Sequence, residues 1–202
     1  MTKVKICGLK TIEDIQAVNR WKPDFAGFVF APGKRQITPG HAAELRRALD
    51  PGIQAAGVFV NAPVEEAAAL ANTGVIQLIQ LHGNEDAAYM KELRKRTDKP
   101  LIKAVAARSQ EEILEAEKLP CEYLLLDAYQ KGGPGGNGKT FDWEIIPSLK
   151  KAWFLAGGLS PENVGQAIKA CRPFGVDVSS GVEIQGKKSE QRIREFIEKV
   201  RG

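Results

Sequence analysis

Two side chains that can exchange protons stand at the ends of apolar, strand-like runs in this sequence. Cys7 ends the run V-K-I-C, and Asp127 ends the run Y-L-L-L-D. If both groups faced one pocket, one could remove a proton from a substrate while the other donated one. A free thiol titrates near about 8.5, so Cys7 would need help from its surroundings to act as a base at neutral pH. The alternative interpretation is structural, with Cys7 as a small buried hydrophobe and Asp127 as a turn cap.

Glycines and serines follow two later strand-like runs, in a composition typical of phosphate binding. The segment L-A-G-G-L contains Gly157 and Gly158, and the segment D-V-S-S-G contains Ser179, Ser180 and Gly181. Such residues leave backbone N–H groups accessible to an anion, and the positive end of a short helix adds to this. We therefore expect these five residues to bind a phosphate group.

Three further polar residues are candidates for substrate contacts. Arg35, in G-K-R, could hold a carboxylate through its forked guanidinium or could be a solvated loop charge. His82, in Q-L-H-G, could cap the strand or form a hydrogen bond with substrate. Asp177 lies near the end of the last strand-like run, where it could line the same mouth or hold loop backbone.

The elements that must position these residues alternate between strand and helix along the whole chain. The helical segments open with a capping residue, a first-turn acid or an N1 proline, and the sequence predicts helices of three to four turns. They begin at residues 11–14, 38–39, 63–66, 84–86, 109–112, 142–144, 160–163 and 189–192. The predicted strands are residues 4–7, 25–30, 55–60, 76–81, 101–105, 123–126, 153–156 and 175–178.

Eight strand–helix units predict an α/β fold, a parallel sheet covered by helices, and eight such units close naturally into a (β/α)8 TIM barrel. The 202 residues are near the lower limit of about 200 for that fold, so one compact domain spanning residues 1–202 is expected. Active-site groups of such barrels lie at the carboxyl ends of the strands, with phosphate frequently bound after strands seven and eight. Cys7 and Asp127 then face each other across the mouth, and Gly8 turns the chain to expose Cys7 to substrate. Cys121 and Cys171 fall toward the opposite face.

Composition and charge exclude several classes of function. The net charge is +4, but no basic run with interleaved aromatic residues indicates nucleic-acid binding. No stretch approaches the about 20 apolar residues that span a bilayer, and no signal-peptide pattern is present. Three widely spaced cysteines and two distant histidines indicate neither a disulfide framework nor a metal site. We therefore expect a cytoplasmic protein that binds neither metal nor membrane.

The segment G-P-G-G-N-G-K-T, residues 133–140, satisfies the P-loop pattern G-x-x-x-x-G-K-T letter for letter. A P-loop joins a strand directly to a long helix, whereas here residues 128–132 intervene and Pro147 follows shortly. A glycine-rich mobile flap over the mouth is the preferred interpretation. A P-loop nucleotide hydrolase remains the alternative for this segment.

Taken together, the segments resemble the phosphoribosylanthranilate isomerases of tryptophan biosynthesis. The resemblance runs from K-I-C-G-L-K through G-F-V-F, K-R, G-V-F-V-N, Q-L-H-G, L-L-L-D, G-K-T-F-D-W and L-A-G-G-L-S-P-E-N-V to V-D-V-S-S-G-V-E. The chain departs from the family at Gly33, where a serine usually precedes the K-R pair, and in the longer glycine run of residues 132–138.

The resemblance implies an Amadori rearrangement of N-(5-phosphoribosyl)anthranilate without metal or cofactor. Asp127 would protonate the ribose ring oxygen and open the ring to an iminium, and Cys7 would then take the proton from C2. Because the iminium acidifies C2, the base need not be strong. Arg35 would hold the anthranilate carboxylate, and His82 and Asp177 would line the mouth. The glycine and serine backbone described above would hold the phosphate.

Other functions remain open from the sequence. The related sugar-phosphate isomerase of histidine biosynthesis carries an aspartate where Cys7 stands, and indole-3-glycerol phosphate synthase needs a lysine and glutamate set that is not found here. A non-catalytic phosphate-ligand sensor on the same scaffold could dispense with both proton-transfer groups. The expected partner is a small phosphosugar, and the oligomeric state, monomer or homodimer, is open.

Overall fold

The first and last strands of the sheet pair with each other, so the sheet closes into a barrel. The structure, a computed structural model, describes residues 1–127 and 143–202, without the side chain of Glu144. Eight parallel strands follow one another around the barrel in sequence order, as predicted. They are β1 (Lys3–Cys7), β2 (Phe25–Val29), β3 (Gln54–Phe59), β4 (Leu78–Leu81), β5 (Leu101–Ala106), β6 (Tyr123–Asp127), β7 (Ala152–Ala156) and β8 (Gly175–Val178).

The helices begin where capping residues place them. Thr11 and Asp14 form a capping box, and the side chains of Thr38, Asp86 and Ser109 each accept a hydrogen bond from the N–H three residues later. The helices are α1 (Ile12–Trp21), α2 (Pro39–Ala48), α3 (Val64–Asn72), α4 (Ala87–Arg94), α5 (Gln110–Glu117), α6 (Val164–Cys171) and α7 (Glu190–Arg201).

The sequence predicts helices longer than several of those observed. Helices α4, α5 and α6 have eight residues each, about two turns. The helix predicted to open at residues 142–144 is wrong, because only a three-residue 3-10 helix, Trp143–Ile145, is present there. Pro147 follows at once, and a proline inside a helix lacks the N–H and clashes with the preceding turn.

Apolar side chains fill the barrel at its amino-terminal end and leave the carboxyl end open. Phe25, Tyr123 and Phe154 meet there with Phe174 in edge-on and tilted ring contacts. A second, larger apolar layer lies between the strands and the surrounding helices. A small antiparallel hairpin of β9 (Glu183–Ile184) and β10 (Lys187–Lys188) follows β8. Within the described ranges, no helix is long and apolar enough to cross a membrane.

Candidate active site

A cavity of about 420 Å³ lies at the carboxyl ends of the strands. Cys7 and Asp127 both line it, so the thiol and the carboxyl face one space from β1 and β6, as the sequence predicts. Its wall contains nine of the ten predicted site residues: Cys7, Arg35, His82, Asp127, Gly157, Gly158, Asp177, Ser179 and Ser180. The arrangement required for acid–base chemistry on one bound molecule is therefore present.

The thiol of Cys7 is held more tightly than expected. The residue is only 7% exposed, and it lines the cavity. Gly27 pairs with it on β2, and a Cβ at Gly27 would stand 2.7 Å from the Cys7 Sγ. Gly8 turns the chain in the left-handed region, with a φ of 81°. The Arg35 side chain passes directly over Gly8 and leaves no room for a Cβ there. Close packing on both sides fixes where the sulfur points.

A buried ion pair lies next to Cys7. Lys5 is fully buried, and its Nζ donates to Asp177 Oδ1 over 2.9 Å. Lys5 precedes Cys7 by two residues on β1, so the two side chains share the inner face of the barrel, where the charge of Lys5 acts on the thiol. Burial would lower the pKa of Lys5, but Asp177 and Cys7 outweigh burial and the pKa is raised. Lys5 is therefore a fixed positive charge beside the sulfur.

Burial raises the pKa of the Cys7 thiol, since a thiolate is poorly stabilised away from water. The positive charges of Lys5 and Lys188 oppose this shift, and Asp177 adds to it. The thiol is therefore predominantly protonated at neutral pH, and its thiolate is stabilised by the two lysines.

Arg35 is held by a partner that the sequence analysis did not identify. Its Nε and Nη2 donate to Glu183 Oε1 and Oε2 over 2.8 and 3.0 Å, in a bidentate pair. Lys188 Nζ lies 3.0 Å from Glu183 Oε1 and donates to the Ser179 carbonyl over 2.9 Å. Burial would raise the pKa of Glu183, but Arg35 and Lys188 outweigh burial and the pKa is lowered. The β9–β10 hairpin thus fixes the orientation of Arg35 at the cavity wall.

Asp127 belongs to a chain of three polar side chains. His82 Nε2 lies 3.5 Å from Asp127 Oδ2, and His82 Nδ1 lies 3.1 Å from Gln80 Nε2. Because the amide nitrogen of glutamine only donates, Nδ1 accepts and the ring proton of neutral His82 lies on Nε2, toward Asp127. Gln80 also lines the cavity, and sequence reasoning missed it, because a glutamine within the run L-I-Q-L carries no motif.

The loops after β7 and β8 present backbone to the cavity. Gly157 and Gly158 have φ values of 87° and 66°, in the left-handed region where glycine is unstrained. Ser179 Oγ donates to the Cys7 carbonyl over 3.0 Å, and Ser180 opens a short 3-10 helix. Gly181 is absent from the described cavity wall. A Cβ there would meet the Leu159 carbonyl oxygen at 1.8 Å, so the glycine lets the two loops touch.

Two further expectations from the sequence concern the P-loop-like segment and metal binding. The P-loop-like segment of residues 133–140, and the flap predicted from it, lie outside the described residues. Among the residues that the structure describes, no group of three or more histidines, cysteines or carboxylates could hold a metal ion.

Comparison with known proteins gives a consistent result. The family model "N-(5'phosphoribosyl)anthranilate (PRA) isomerase" matches residues 4–199. An N-(5'-phosphoribosyl)anthranilate isomerase from Lachnoclostridium phytofermentans is 46% identical, with 96% of this chain and 95% of that protein covered. The enzyme of the same name from Endomicrobium trichonymphae is 43% identical, with 100% and 99% covered.

Solved structures agree with the sequence comparison. The phosphoribosyl anthranilate isomerase of Thermotoga maritima is 36% identical and superposes with a TM-score of 0.88 over 100% of this chain and 99% of that one. A phosphoribosyl anthranilate isomerase in complex with reduced 1-(o-carboxyphenylamino)-1-deoxyribulose 5-phosphate is 35% identical, with a TM-score of 0.84 and the same coverage. By sequence and by fold, the chain belongs to the N-(5'-phosphoribosyl)anthranilate isomerase family.

Proposed function

We propose that this chain catalyses the isomerisation of N-(5'-phosphoribosyl)anthranilate in tryptophan biosynthesis, with Cys7 as the general base and Asp127 as the general acid. The product is 1-(2-carboxyphenylamino)-1-deoxyribulose 5-phosphate. One observation carries the residue assignment: the only two groups that the sequence offered as a proton-transfer pair line one cavity in a chain of this family.

The reaction needs one acid step and one base step. Asp127 donates a proton to the ribose ring oxygen, the C1–O bond breaks, and the anilino nitrogen supplies the electron pair that forms the C1=N iminium. The Cys7 thiolate then removes the proton from C2, and those electrons form the C1=C2 bond of an enolamine. Loss of the C2 hydroxyl proton and protonation of C1 give the ketone. Every proton is moved by a positioned group or by solvent.

The electrostatics around Cys7 support its role as a base. A thiol with a raised pKa is a stronger base once ionised, and the cationic iminium makes the C2 proton easier to remove. The fixed charge of Lys5 limits how far burial disfavours the thiolate. The raised pKa makes the thiolate a stronger base, and the charge of Lys5 favours its formation.

Two ends of the substrate are anionic, and the cavity offers a candidate group for each. The backbone of Gly157, Gly158, Ser179 and Ser180 is assigned to the phosphate. Arg35, oriented by Glu183, is assigned to the anthranilate carboxylate through guanidinium N–H groups beyond the two that Glu183 receives. Holding the phosphate and the carboxylate places C2 of the substrate next to the base. Such positioning of the reacting atoms supplies most of the rate gain from a bound geometry.

The same chemistry supports a cytoplasmic location and a site that is complete within one subunit. A phosphorylated substrate and a catalytic thiol that must remain reduced both favour the cytoplasm. Relatives are found in more than one assembly, since one neighbouring structure is described as monomers generated from the dimeric Thermotoga maritima enzyme. Each barrel of this chain carries all of the assigned groups, so the assigned site needs no residue from a partner subunit.

The test is direct conversion by the purified protein. Freshly prepared N-(5'-phosphoribosyl)anthranilate is added, and the formation of the ketone product is followed by chromatography. Cys7→Ser and Asp127→Asn are each expected to lower kcat by at least about a hundredfold, as typical for lost acid–base catalysts, while circular dichroism remains native. Near-normal turnover in either variant contradicts the residue assignment. Tight binding of the product by a wild-type protein without turnover favours the sensor alternative instead.

A further inference from the structure

One buried polar atom at the cavity has no hydrogen-bond partner among the residues that the structure describes. Gln80 lies on β4 between Val58 of β3 and Ile102 of β5, and it is 1% exposed. Its Nε2 is engaged by His82, but its Oε1 is unpaired. Within residues 1–127 and 143–202, it is the one fully buried side-chain nitrogen or oxygen without a partner.

An unpaired buried acceptor destabilises a fold, because the atom gives up water and receives nothing in exchange. Folded proteins therefore contain few such atoms, and each calls for an explanation. Gln77, one residue before β4, shows the usual pairing of a glutamine side chain. Its Oε1 accepts from Ala55 N over 2.9 Å, and its Nε2 donates to the Gly74 carbonyl over 2.8 Å. Gln80 differs in that its side chain lines the catalytic cavity.

The orientation of the Gln80 amide is fixed by its neighbour. With Nε2 donating to His82 Nδ1, the carbonyl oxygen is turned away from the imidazole. Reversal of the amide would move the imidazole proton to Nδ1 and remove the N–H that faces Asp127 at 3.5 Å. The acceptor is therefore held in place by a side chain that also contacts the general acid.

We propose that Gln80 is a substrate-binding residue whose Oε1 accepts a hydrogen bond from a ribose hydroxyl. This inference rests on the proposed function. The phosphate and the carboxylate of that substrate carry acceptors, so neither satisfies a carbonyl oxygen. The ribose hydroxyls are donors, and both reacting positions of the sugar lie between Cys7 and Asp127, whose side chains share this cavity with Gln80. Substrate thus pairs the one buried side-chain oxygen that has no partner among the described residues.

If Gln80 binds substrate, its replacement should weaken substrate binding without lowering the stability of the fold. Gln80→Met keeps the length of the side chain and removes the unpaired oxygen, so the melting temperature is expected to stay the same or rise. The KM is expected to increase about tenfold, as is the Kd for reduced 1-(o-carboxyphenylamino)-1-deoxyribulose 5-phosphate measured by calorimetry, the usual effect of one lost hydrogen bond to a ligand. Gln77→Met is the matched control, with a lower melting temperature and an unchanged KM.

Analogues of the reduced product that each lack one sugar hydroxyl test the contact itself. Wild-type protein is expected to bind one of them about tenfold more weakly, and Gln80→Met is expected to show no further loss for that same analogue. Equal losses in both proteins for every analogue overturn the proposal. So does a Gln80→Met variant with reduced kcat and unchanged KM and Kd, which indicates positioning of His82 alone. A wild-type protein without turnover contradicts the proposed function instead, which the wild-type assay reveals separately.

Discussion

Lys5 and Asp177 form an ion pair inside the barrel, with Nζ 2.9 Å from Oδ1 and both side chains nearly or fully buried. The pair joins the first strand to the last, and it lies on the same inner face as Cys7. A buried ion pair is a poor source of stability, because both charges lose their water. Because the pair lies beside Cys7, the proposed general base, its charges influence the ionisation of the thiol.

Replacement of Lys5 by methionine is expected to shift the activity profile to higher pH. Removal of the positive charge leaves burial and Asp177 to raise the pKa of Cys7 further, so the ascending limb of kcat/KM against pH moves to higher pH. The measurement is the pH profile of kcat/KM. Lys3→Met is the control, because Lys3 is exposed, pairs with Asp24 and leaves the profile unchanged. An unshifted limb in Lys5→Met contradicts the electrostatic role.

The Lys5→Met variant also tests how the Lys5–Asp177 pair affects the free energy of unfolding. Lys5→Met leaves Asp177 buried and unpaired, which is expected to reduce the free energy of unfolding by about 3–5 kcal/mol. The double variant Lys5→Met/Asp177→Asn removes both charges and is expected to recover most of that loss in urea titrations. A double variant as unstable as the single one contradicts the account of Lys5 and Asp177 as one neutralised pair.

Gly27→Ala is expected to displace the sulfur of Cys7, the proposed base. The added methyl group would stand 2.7 Å from the Cys7 Sγ and 2.9 Å from its Cα, so one of the strands must shift. Overpacking of this kind lowers the free energy of unfolding by about 1–3 kcal/mol, and misplacement of a base by about 1 Å lowers kcat by about a hundredfold. Gly40→Ala, in α2 with open space around the glycine, is the control and retains full activity. Unchanged kcat in Gly27→Ala contradicts the packing argument.

Glu85 is expected to make stability depend on acid pH. Its carboxylate accepts from Lys103 Nζ over 2.8 Å and from the N–H groups of Asn61 and Gly83. Burial would raise the pKa of Glu85, but these partners outweigh burial and the pKa is lowered from 4.5. The stabilisation is therefore complete above pH 4.5 and is lost as the pH falls below it.

The test compares melting temperatures of wild type and Glu85→Gln between pH 7 and pH 3. The variant is expected to melt lower at pH 7, and the difference should narrow toward pH 3. Glu66→Gln, on the exposed side of α3, should follow the wild type throughout. A difference that is constant or grows on acidification contradicts the direction assigned to the pKa.

Ligand is expected to protect Cys7 from alkylation. Cys7 lines the cavity, so the reduced product analogue should slow its reaction with iodoacetamide, in proportion to site occupancy. Cys171 serves as the internal control, because it lies on α6 outside the cavity and burial raises its pKa to about 11. Peptide mass spectrometry reports both rates in one sample. Equal rates for Cys7 with and without ligand contradict its placement in the substrate site.

Much of this architecture is predictable from local pattern. A strand followed by a capped helix is encoded within about 25 residues, which is why all eight strands were predicted with bounds close to those observed. Cys7 and Asp127 end strands, and strand ends meet at one face of a barrel, so their common cavity follows from topology. The helix predicted after residue 142 failed because Pro147 overrides the capping pattern.

The partners of the charged residues could not be predicted. Lys5 and Asp177 are 172 positions apart, and Arg35 and Glu183 are 148 positions apart. Alternation along a strand predicts which face a side chain occupies, but it does not identify the residue opposite. The unpaired oxygen of Gln80 is likewise invisible in sequence, because it is defined by the absence of a neighbour among the described residues.

Because β1 pairs with β8, the barrel can close only after β8 has been synthesised. Lys5 leaves the ribosome 172 residues before Asp177, and Arg35 leaves it 148 residues before Glu183. Until the eighth strand docks, neither the Lys5–Asp177 pair nor the Arg35–Glu183 pair can form. If the proposed site is correct, nascent chains that lack β8 are expected to show no turnover, and activity should begin only when the barrel closes.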